Sequence, residues 1–264
     1  MPTDLEHRTR HLWAGFGITR AQVAAAADFV EALYGGSGEP PLSDRRIVLT
    51  ANCALGLWMD DQMELHSRPA QLGTCLRHQE SLLTGFGDSV ALDWWRASHD
   101  DYAAALESER EWLTGPVDGD IDHYLSIAES SIGATALLAT LCLLHDTGTA
   151  HRLDEPELTA LLRELGSWTR LSNDLGSLDR DRARGDRANA VLVLQPAMGL
   201  PDATAFVEQL SRRHRRAIHE LLRRMPPDDQ LRDLIRNMIR ALEHAYRLSP
   251  RYADNPVTDS GAAG

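Results

Sequence analysis

The chain has 264 residues, of which 43% are hydrophobic and 6% aromatic, so it is long enough to bury a large core as one domain, built of helices rather than a β architecture. Its formal net charge of −12 excludes general nucleic-acid binding, because phosphate backbones are held by clustered Lys and Arg. All 27 basic residues are arginines, which excludes any mechanism that needs a lysine Schiff base or the lysine of a phosphate-binding loop.

Cysteine usage and apolar runs bear on the location of the protein. Cys53, Cys75 and Cys142 lack metal-like spacing, and their odd number gives no disulfide framework, which favours the reducing cytoplasm. The polar N-terminus has no apolar signal core, so export is not expected. The longest apolar stretch, residues 132–144, is too short for a helix to cross a hydrocarbon layer of roughly 30 Å, so no membrane span is predicted.

Helical periodicity predicts some eight to ten helices in one all-α domain over residues 1–264. The first begins after Thr19, a good N-cap residue, and breaks are predicted at 35–41, near 85–88, at 115–120, around 146–149, near Pro201 and at Pro226 and Pro227. The segments of about 1–17 and 254–264 are expected to be flexible ends.

A long helix is predicted after Asp154, which can cap it, with Pro156 in its first turn. Six leucines and Trp168 recur at steps of three and four residues from 158 to 178, so this stripe should pack into the core. Asn173, Ser177 and Asp181 lie four residues apart on a separate face. A polar row therefore runs along a helix that is expected to be buried.

Two clusters along the chain carry oxygen ligands suited to magnesium. DDQME, residues 60–64, follows an apolar segment, and Asp60 and Glu64 lie one turn apart. With 39 acidic residues in the chain, this cluster alone is more typical of a solvated helix end. The second cluster, NDLGSLDRD at 173–181, offers amide, hydroxyl and carboxylate oxygens over about 12 Å of helix, and uncharged Asn and Ser are poor choices for solubility alone.

In this order the two clusters resemble the two metal motifs of the class I terpene synthase family, DDxx(D/E) and NDxxSxxxE. The resemblance implies a single-domain class I terpenoid synthase fold, a helical bundle around a central apolar cavity. It implies three Mg²⁺ ions, bound by Asp60, Asp61, Glu64, Asn173, Ser177 and Asp181. It also implies an isoprenoid diphosphate substrate, bound by Arg170, Arg180, Arg251 and Tyr252, the last pair lying 78 residues beyond Asn173.

The cavity of such an enzyme must be apolar and must tolerate carbocations. Cys53, Gly56 and Leu57 precede Asp60 on its helical face and should line this cavity, together with Ser131 and Gly133 from a run of small residues and with Tyr246. Further aromatic candidates are Trp58, Trp94, Trp95, Trp168 and Tyr124, each of which is otherwise an ordinary core aromatic.

The sequence departs from the family pattern in three places. Asp181 is one methylene shorter than the usual Glu, Ala128 stands where the family often has a diphosphate-sensing arginine, and only 113 residues separate Asp60 from Asn173. The missing arginine and the SIGA segment at 131–134 resemble diterpene synthases that take C20 substrates, including bicyclic labdane diphosphates such as copalyl diphosphate. No DxDD motif for protonation-initiated cyclisation is present, nor is the second DDxxD of a chain-elongating enzyme.

Three other functions are compatible with the same residues. A sesquiterpene synthase acting on farnesyl diphosphate would share every metal motif and differ in cavity size. A degenerate family member would bind diphosphate without turnover, and a non-catalytic helical interaction protein would simply solvate its acidic clusters. The family resemblance also suggests a homodimer.

Overall fold

The computed structural model describes residues 3–35, 40, 42–65, 69–114 and 120–248, which form eleven α-helices, one 3₁₀ helix at Thr149–Arg152 and no strand. The helices are α1 (Asp4–Leu12), α2 (Arg20–Tyr34), α3 (Asp44–Leu65), α4 (Leu72–Leu83), α5 (Ser89–Thr114), α6 (Ile121–Ser131), α7 (Ala134–His145), α8 (Pro156–Arg184), α9 (Ala190–Met198), α10 (Leu200–Arg224) and α11 (Gln230–Leu248). The all-α prediction is therefore confirmed, with one helix more than the expected upper number.

Local capping explains where several helices begin. Helix α2 starts at the predicted N-cap, since the Thr19 hydroxyl accepts from the Gln22 backbone N–H and the Gln22 side chain accepts from the Thr19 N–H. The predicted cap at Asp154 is wrong: Glu155 is the N-cap of α8, and Pro156 fixes the first turn instead. The break expected near Pro201 lies at Gly199, because Pro201 fits the first turn of α10.

Residues 4–12 form helix α1 within the N-terminal segment for which a flexible end was expected. Helix α1 places Leu5, Thr9 and Trp13 on one inward face, and the Trp13 indole N–H donates to the Ala51 carbonyl at 3.0 Å. The segment packs because this four-residue repeat buries two large apolar side chains against α3. The other expected flexible end, 254–264, lies outside the described residues.

Helix α7 forms the centre of the bundle. Nine of its twelve residues are buried, as expected of a helix that is apolar all round. It is separated from α6 by Gly133, whose φ of +69° is in the left-handed region that glycine adopts most readily. By length and composition, the segment Ile121–His145 could cross a membrane, but 61% of its most apolar 18-residue window is buried inside the bundle, and core helices of soluble proteins give the same signal.

Candidate active site

A cavity of about 260 Å³ lies between α2, α3, α5, α8, α11 and the break between α6 and α7. Its charged lining residues come from the C-terminal halves of α3, α5 and α8 and from the segment after α8: Asp60, Glu109, Arg110, Arg170, Arg180, Asp181 and Asp186. Most of the remaining wall is apolar, with Phe29, Leu57 and Leu137 among its larger side chains. The cavity therefore has a charged region and an apolar region, which suits a ligand with an ionic head group and an apolar tail.

The acidic cluster on α3 is divided between two directions. Asp60 lines the cavity, whereas a carboxylate oxygen of Asp61 accepts a hydrogen bond from Gln22 Nε2 at 2.7 Å on the α2 side. The step of 100° per helical residue is the cause of this split. Glu64 lies in α3, but its side chain is outside the described residues.

The polar row on α8 is arranged around one carboxylate. Asn173 and Asp181 line the cavity, and the buried Ser177 hydroxyl donates to Asp181 Oδ2 at 2.5 Å. The side-chain amide of Asn189 donates to the same oxygen at 3.0 Å, and Arg180 Nε donates to Oδ1 at 2.9 Å. We call this arrangement of Ser177, Arg180, Asp181 and Asn189 the Asp181 clasp. It fixes the position of the short carboxylate at the cavity wall.

Arg170 is buried and charge-compensated. Its Nη2 lies 2.7 Å from Glu109 Oε1 and donates to the Ala188 carbonyl at 2.5 Å, while its Nε donates to the Tyr124 hydroxyl at 2.5 Å. The same Nε lies 2.9 Å from Asp174 Oδ1, an ion pair in which this oxygen accepts no hydrogen bond. Two carboxylates therefore neutralise this guanidinium from within the protein.

Burial and charge act against each other in this network. Burial alone lowers the pKa of Arg170, but Asp174 and Glu109 outweigh it and raise that pKa well above its ordinary value. Burial raises the pKa of Asp174 to about 6, against the opposing effects of Arg170, the Ala190 N–H and the Tyr124 hydroxyl. Burial also raises the pKa of Tyr124. Arg170 is thus permanently charged and held in one position.

Several of these residues were not predicted from the sequence. Asp174 is part of the NDLGSLDRD motif, but its side chain points away from the polar row. It accepts hydrogen bonds from the Tyr124 hydroxyl at 2.8 Å and from the Ala190 N–H at 2.9 Å. Glu109 carries no local signal, because it reaches Arg170 from α5, and Asn189 lies just beyond α8, outside the helical repeat that marks the polar row. The predicted diphosphate ligands Arg251 and Tyr252 lie outside the described residues.

The residues predicted to line the cavity do so, whereas most of the further aromatic candidates do not. Cys53, Gly56, Leu57, Ser131, Gly133 and Tyr246 all lie in the cavity wall. The four tryptophans offered as candidates are instead buried in the core, at 8% exposure or less, because their large rings fill the helix interfaces. Tyr124 belongs to the Arg170 network, and Ala128 is buried in an apolar cluster with Leu171 and Ala190.

The donor chemistry of the site fits a hard divalent cation. Carboxylate oxygens of Asp60 and Asp181 and the amide of Asn173 face one cavity from two helices. Among the described residues no three His, Cys, Asp or Glu side chains form a closed cage. Mg²⁺ suits such an open arrangement, because it keeps several waters and is bound by one or two carboxylates together with substrate phosphates.

The described residues thus form an all-helical bundle in which Asp60, Asn173 and Asp181 face one largely apolar cavity. The model of the family described as terpene synthase family 2, C-terminal metal binding, matches residues 51–220. The chain therefore belongs to this terpene synthase family.

Relatives and solved structures agree with this assignment. The chloroplastic dolabradiene synthase of Zea mays is 26% identical over 223 residues, which is 70% of this chain, and the chain spans only 25% of that relative's length. The linalool/nerolidol synthase of Streptomyces clavuligerus, solved with 2-fluorogeranyl diphosphate, gives a TM-score of 0.76 at 17% identity over 93% of this chain and 94% of that one. Abietadiene synthase of Abies grandis gives 0.72 at 15% identity over 92% of this chain and 37% of that one. At such identities the structures show the shared helical fold.

Proposed function

We propose that the protein is a magnesium-dependent synthase that ionises a C20 prenyl diphosphate and cyclises or rearranges the resulting cation. Geranylgeranyl diphosphate and a bicyclic labdane diphosphate such as copalyl diphosphate are the favoured substrates. The observation that carries the proposal is the shared cavity, which presents Asp60, Asn173, Asp181 and Arg180 at the charged region and an apolar wall beyond it. The likeness to a dolabradiene synthase supports the C20 choice.

The site residues divide into two groups in this proposal. Asp60, supported by Asp61 and Glu64, would hold two Mg²⁺ ions, and Asn173, Ser177 and Asp181 would hold the third. When bound, these ions neutralise the diphosphate and make it a good leaving group. Arg170, Arg180, Arg251 and Tyr252 bind diphosphate oxygens by charge-assisted hydrogen bonds.

The reaction begins with heterolysis of the C1–O bond, whose electron pair leaves with diphosphate. The resulting allylic cation is then confined by the apolar wall, which excludes water. Tyr102 and Phe29 line this wall, and an aromatic face stabilises a nearby positive charge by about 0.5 to 2 kcal/mol. Tyr102 is oriented by its hydroxyl, which donates to the Gly56 carbonyl at 3.2 Å.

Incubation with C15, C20 and bicyclic C20 diphosphates, with Mg²⁺ or with a chelator, tests the proposal. We expect Mg²⁺-dependent diphosphate release and a hydrocarbon product, detected by gas chromatography, that is largest in amount with a C20 substrate. Turnover of farnesyl diphosphate alone would instead identify the alternative, a sesquiterpene synthase. Absence of diphosphate release with every substrate would contradict the proposal and leave the degenerate family member or the interaction protein.

We also propose that the chain works as one α domain, in the cytoplasm, without nucleic acid or a membrane span, and that two copies form a homodimer. The packing of α1 to α11 into connected apolar clusters supports the single domain. Light scattering on the purified protein tests the dimer, and a monomer mass at all concentrations would contradict it.

A further inference from the structure

A polar pair stands in the apolar part of the cavity, away from the metal site. His99 on α5 and Asn52 on α3 both line the cavity, and both are buried, at 4% and 5% exposure. Asn52 precedes Asp60 by eight residues on α3, which corresponds to about 12 Å of helix. His99 precedes Glu109 by ten residues on α5, or about 15 Å. An imidazole at this depth has no role in binding diphosphate.

The hydrogen bonds of His99 determine which ring nitrogen carries the proton. Nδ1 lies 2.9 Å from the Trp95 carbonyl, which accepts hydrogen bonds only, so Nδ1 must be the N–H donor. In the neutral ring Nε2 is then unprotonated and has its lone pair available. No described residue makes a hydrogen bond to Nε2, and His99 is a cavity-lining residue.

The ring is held firmly in this orientation. The Trp95 and His99 rings lie 4.3 Å apart between centroids with an interplanar angle of 33°. Trp95 is itself fixed, because its indole N–H contacts the Thr140 hydroxyl at 3.1 Å and Asn52 Oδ1 at 3.4 Å. A base positioned in this way costs little reorganisation when it acts.

We propose that His99 Nε2 is the base that ends the cation cascade, in an enzyme that works as set out under the proposed function. The C–H bond next to the cationic carbon breaks, its electron pair forms the C=C bond of the product, and the proton is transferred to Nε2. The imidazolium returns the proton to water or to diphosphate when the cavity opens. Because His99 lies far from the diphosphate region, the proton comes from the end of the substrate distant from C1.

Other side chains in the cavity are less suited to this step. Glu109 is paired with Arg170, and Asp60 and Asp181 lie in the metal region. Burial raises the pKa of the Cys53 thiol to about 12, so it holds its own proton. By contrast, burial lowers the pKa of His99 to about 4, which keeps its ring neutral near pH 7. His99 is therefore the uncharged base placed in the apolar part of the wall.

The test compares His99→Phe, His99→Gln and His99→Ala with the wild type, measuring diphosphate released and the amount of each product. We expect the ratio of the main alkene to diphosphate released to fall at least about tenfold in His99→Phe, with earlier olefins or alcohols in its place. His99→Gln keeps an acceptor oxygen and should lose less. Added imidazole should partly restore the alkene in His99→Ala, which a merely structural role would not allow.

His78→Phe is the matched control, because His78 also binds a backbone carbonyl, that of Leu12 at 2.8 Å, but does not line the cavity. Its product ratio should match that of the wild type. Unchanged product ratios in folded His99→Gln and His99→Ala, judged by circular dichroism, would overturn the proposal, as would an alcohol as the main wild-type product. If the proposed function itself is wrong, the wild type will release no diphosphate, and this result is distinct from unchanged product ratios in the His99 variants.

Discussion

Adjacent carboxylates at the site have different partners, and the difference has consequences for single residues. Asp60 faces the cavity, whereas Asp61 is bound by Gln22, whose side chain also closes the capping box of α2. Asp61 thus joins the cavity end of α3 to the start of α2. Such outer partners orient a site without supplying its principal ligand.

Replacing these two aspartates separately tests the division. Asp60→Asn removes a negative oxygen ligand from the cavity, so we expect Mg²⁺-dependent diphosphate release to fall by about 100-fold or more. Asp61→Asn keeps a partner for Gln22 and should lose about tenfold or less. Steady-state rates over a range of Mg²⁺ concentrations measure both. Equal losses would show that the two carboxylates act alike.

The buried His99 makes stability depend on pH. Its pKa is about 4 in the folded protein and 6.5 in the unfolded chain, so between these values the unfolded chain binds more protons. Stability therefore falls as the pH decreases from about 6.5 to about 4, by a total of about 3 kcal/mol from this residue. Urea unfolding of the wild type and His99→Gln at pH 7 and at about pH 4.5 measures this. Parallel losses in the two proteins would contradict the assignment.

Part of the site could be predicted from the residues alone. Asn173, Ser177 and Asp181 are visible because a helix repeat of four places them on one face. Glu109 could not be predicted, because its partner Arg170 is 61 residues away and the contact depends on how α5 packs against α8. Asn189 could not be predicted either, because its contact with Asp181, 8 residues away, depends on how the chain turns after α8. Long-range ion pairs leave no periodic signal in a sequence.

At the scale of elements, α8 shows what periodicity can and cannot predict. Its leucine stripe and polar row follow the expected pattern. The close approach of α8 to α6 was not predicted by this pattern. A Cβ atom at Gly166 would lie 2.6 Å from the Glu129 carbonyl oxygen, so the two helix backbones are nearly in contact. A glycine in the middle of a helix does not indicate in the sequence which other helix packs against it.

Two glycines on α8 therefore provide a matched pair. We expect Gly166→Ala to destabilise the protein by about 1 to 3 kcal/mol, because the new methyl group must push α6 away. Gly176→Ala meets nothing nearer than 3.6 Å and should stabilise by up to about 1 kcal/mol through helix propensity. Chemical denaturation of both variants measures the free energies of unfolding. Stabilisation by both changes would mean that the interface between α6 and α8 can accommodate an additional methyl group.

For the whole molecule, the sequence predicted the helical class and most breaks but not the packing of its N-terminal segment. Helix α1 is polar except for a narrow stripe, and nine residues are too few to establish a period. The tryptophans were candidates for the cavity wall or for ordinary core aromatics, and their volume places them in the core. Both outcomes depend on tertiary packing.

The α1 segment should therefore contribute to global stability. We expect Trp13→Ala to lower the free energy of unfolding by about 3 to 5 kcal/mol, since it removes a buried ring and its bond to the Ala51 carbonyl. Val90→Ala, at a side chain 41% exposed, is the control and should change it by less than about 0.5 kcal/mol. Differential scanning calorimetry compares the two. Similar melting temperatures would mean that α1 is only loosely attached.

The Asp181 clasp has a consequence for the connection between α8 and α9. Asn189 binds both Asp181 and the Asp174 carbonyl, at 3.0 and 2.8 Å, and so fastens the connection 185–189 to the cavity wall. Any ligand that draws the Asp181 carboxylate toward itself takes a partner from Asn189. Because the chain has no lysine, trypsin cuts it only after arginine, and Arg184 and Arg187 lie at this connection. The rate of proteolysis there thus becomes a readout of site occupancy that needs neither labelled substrate nor product detection.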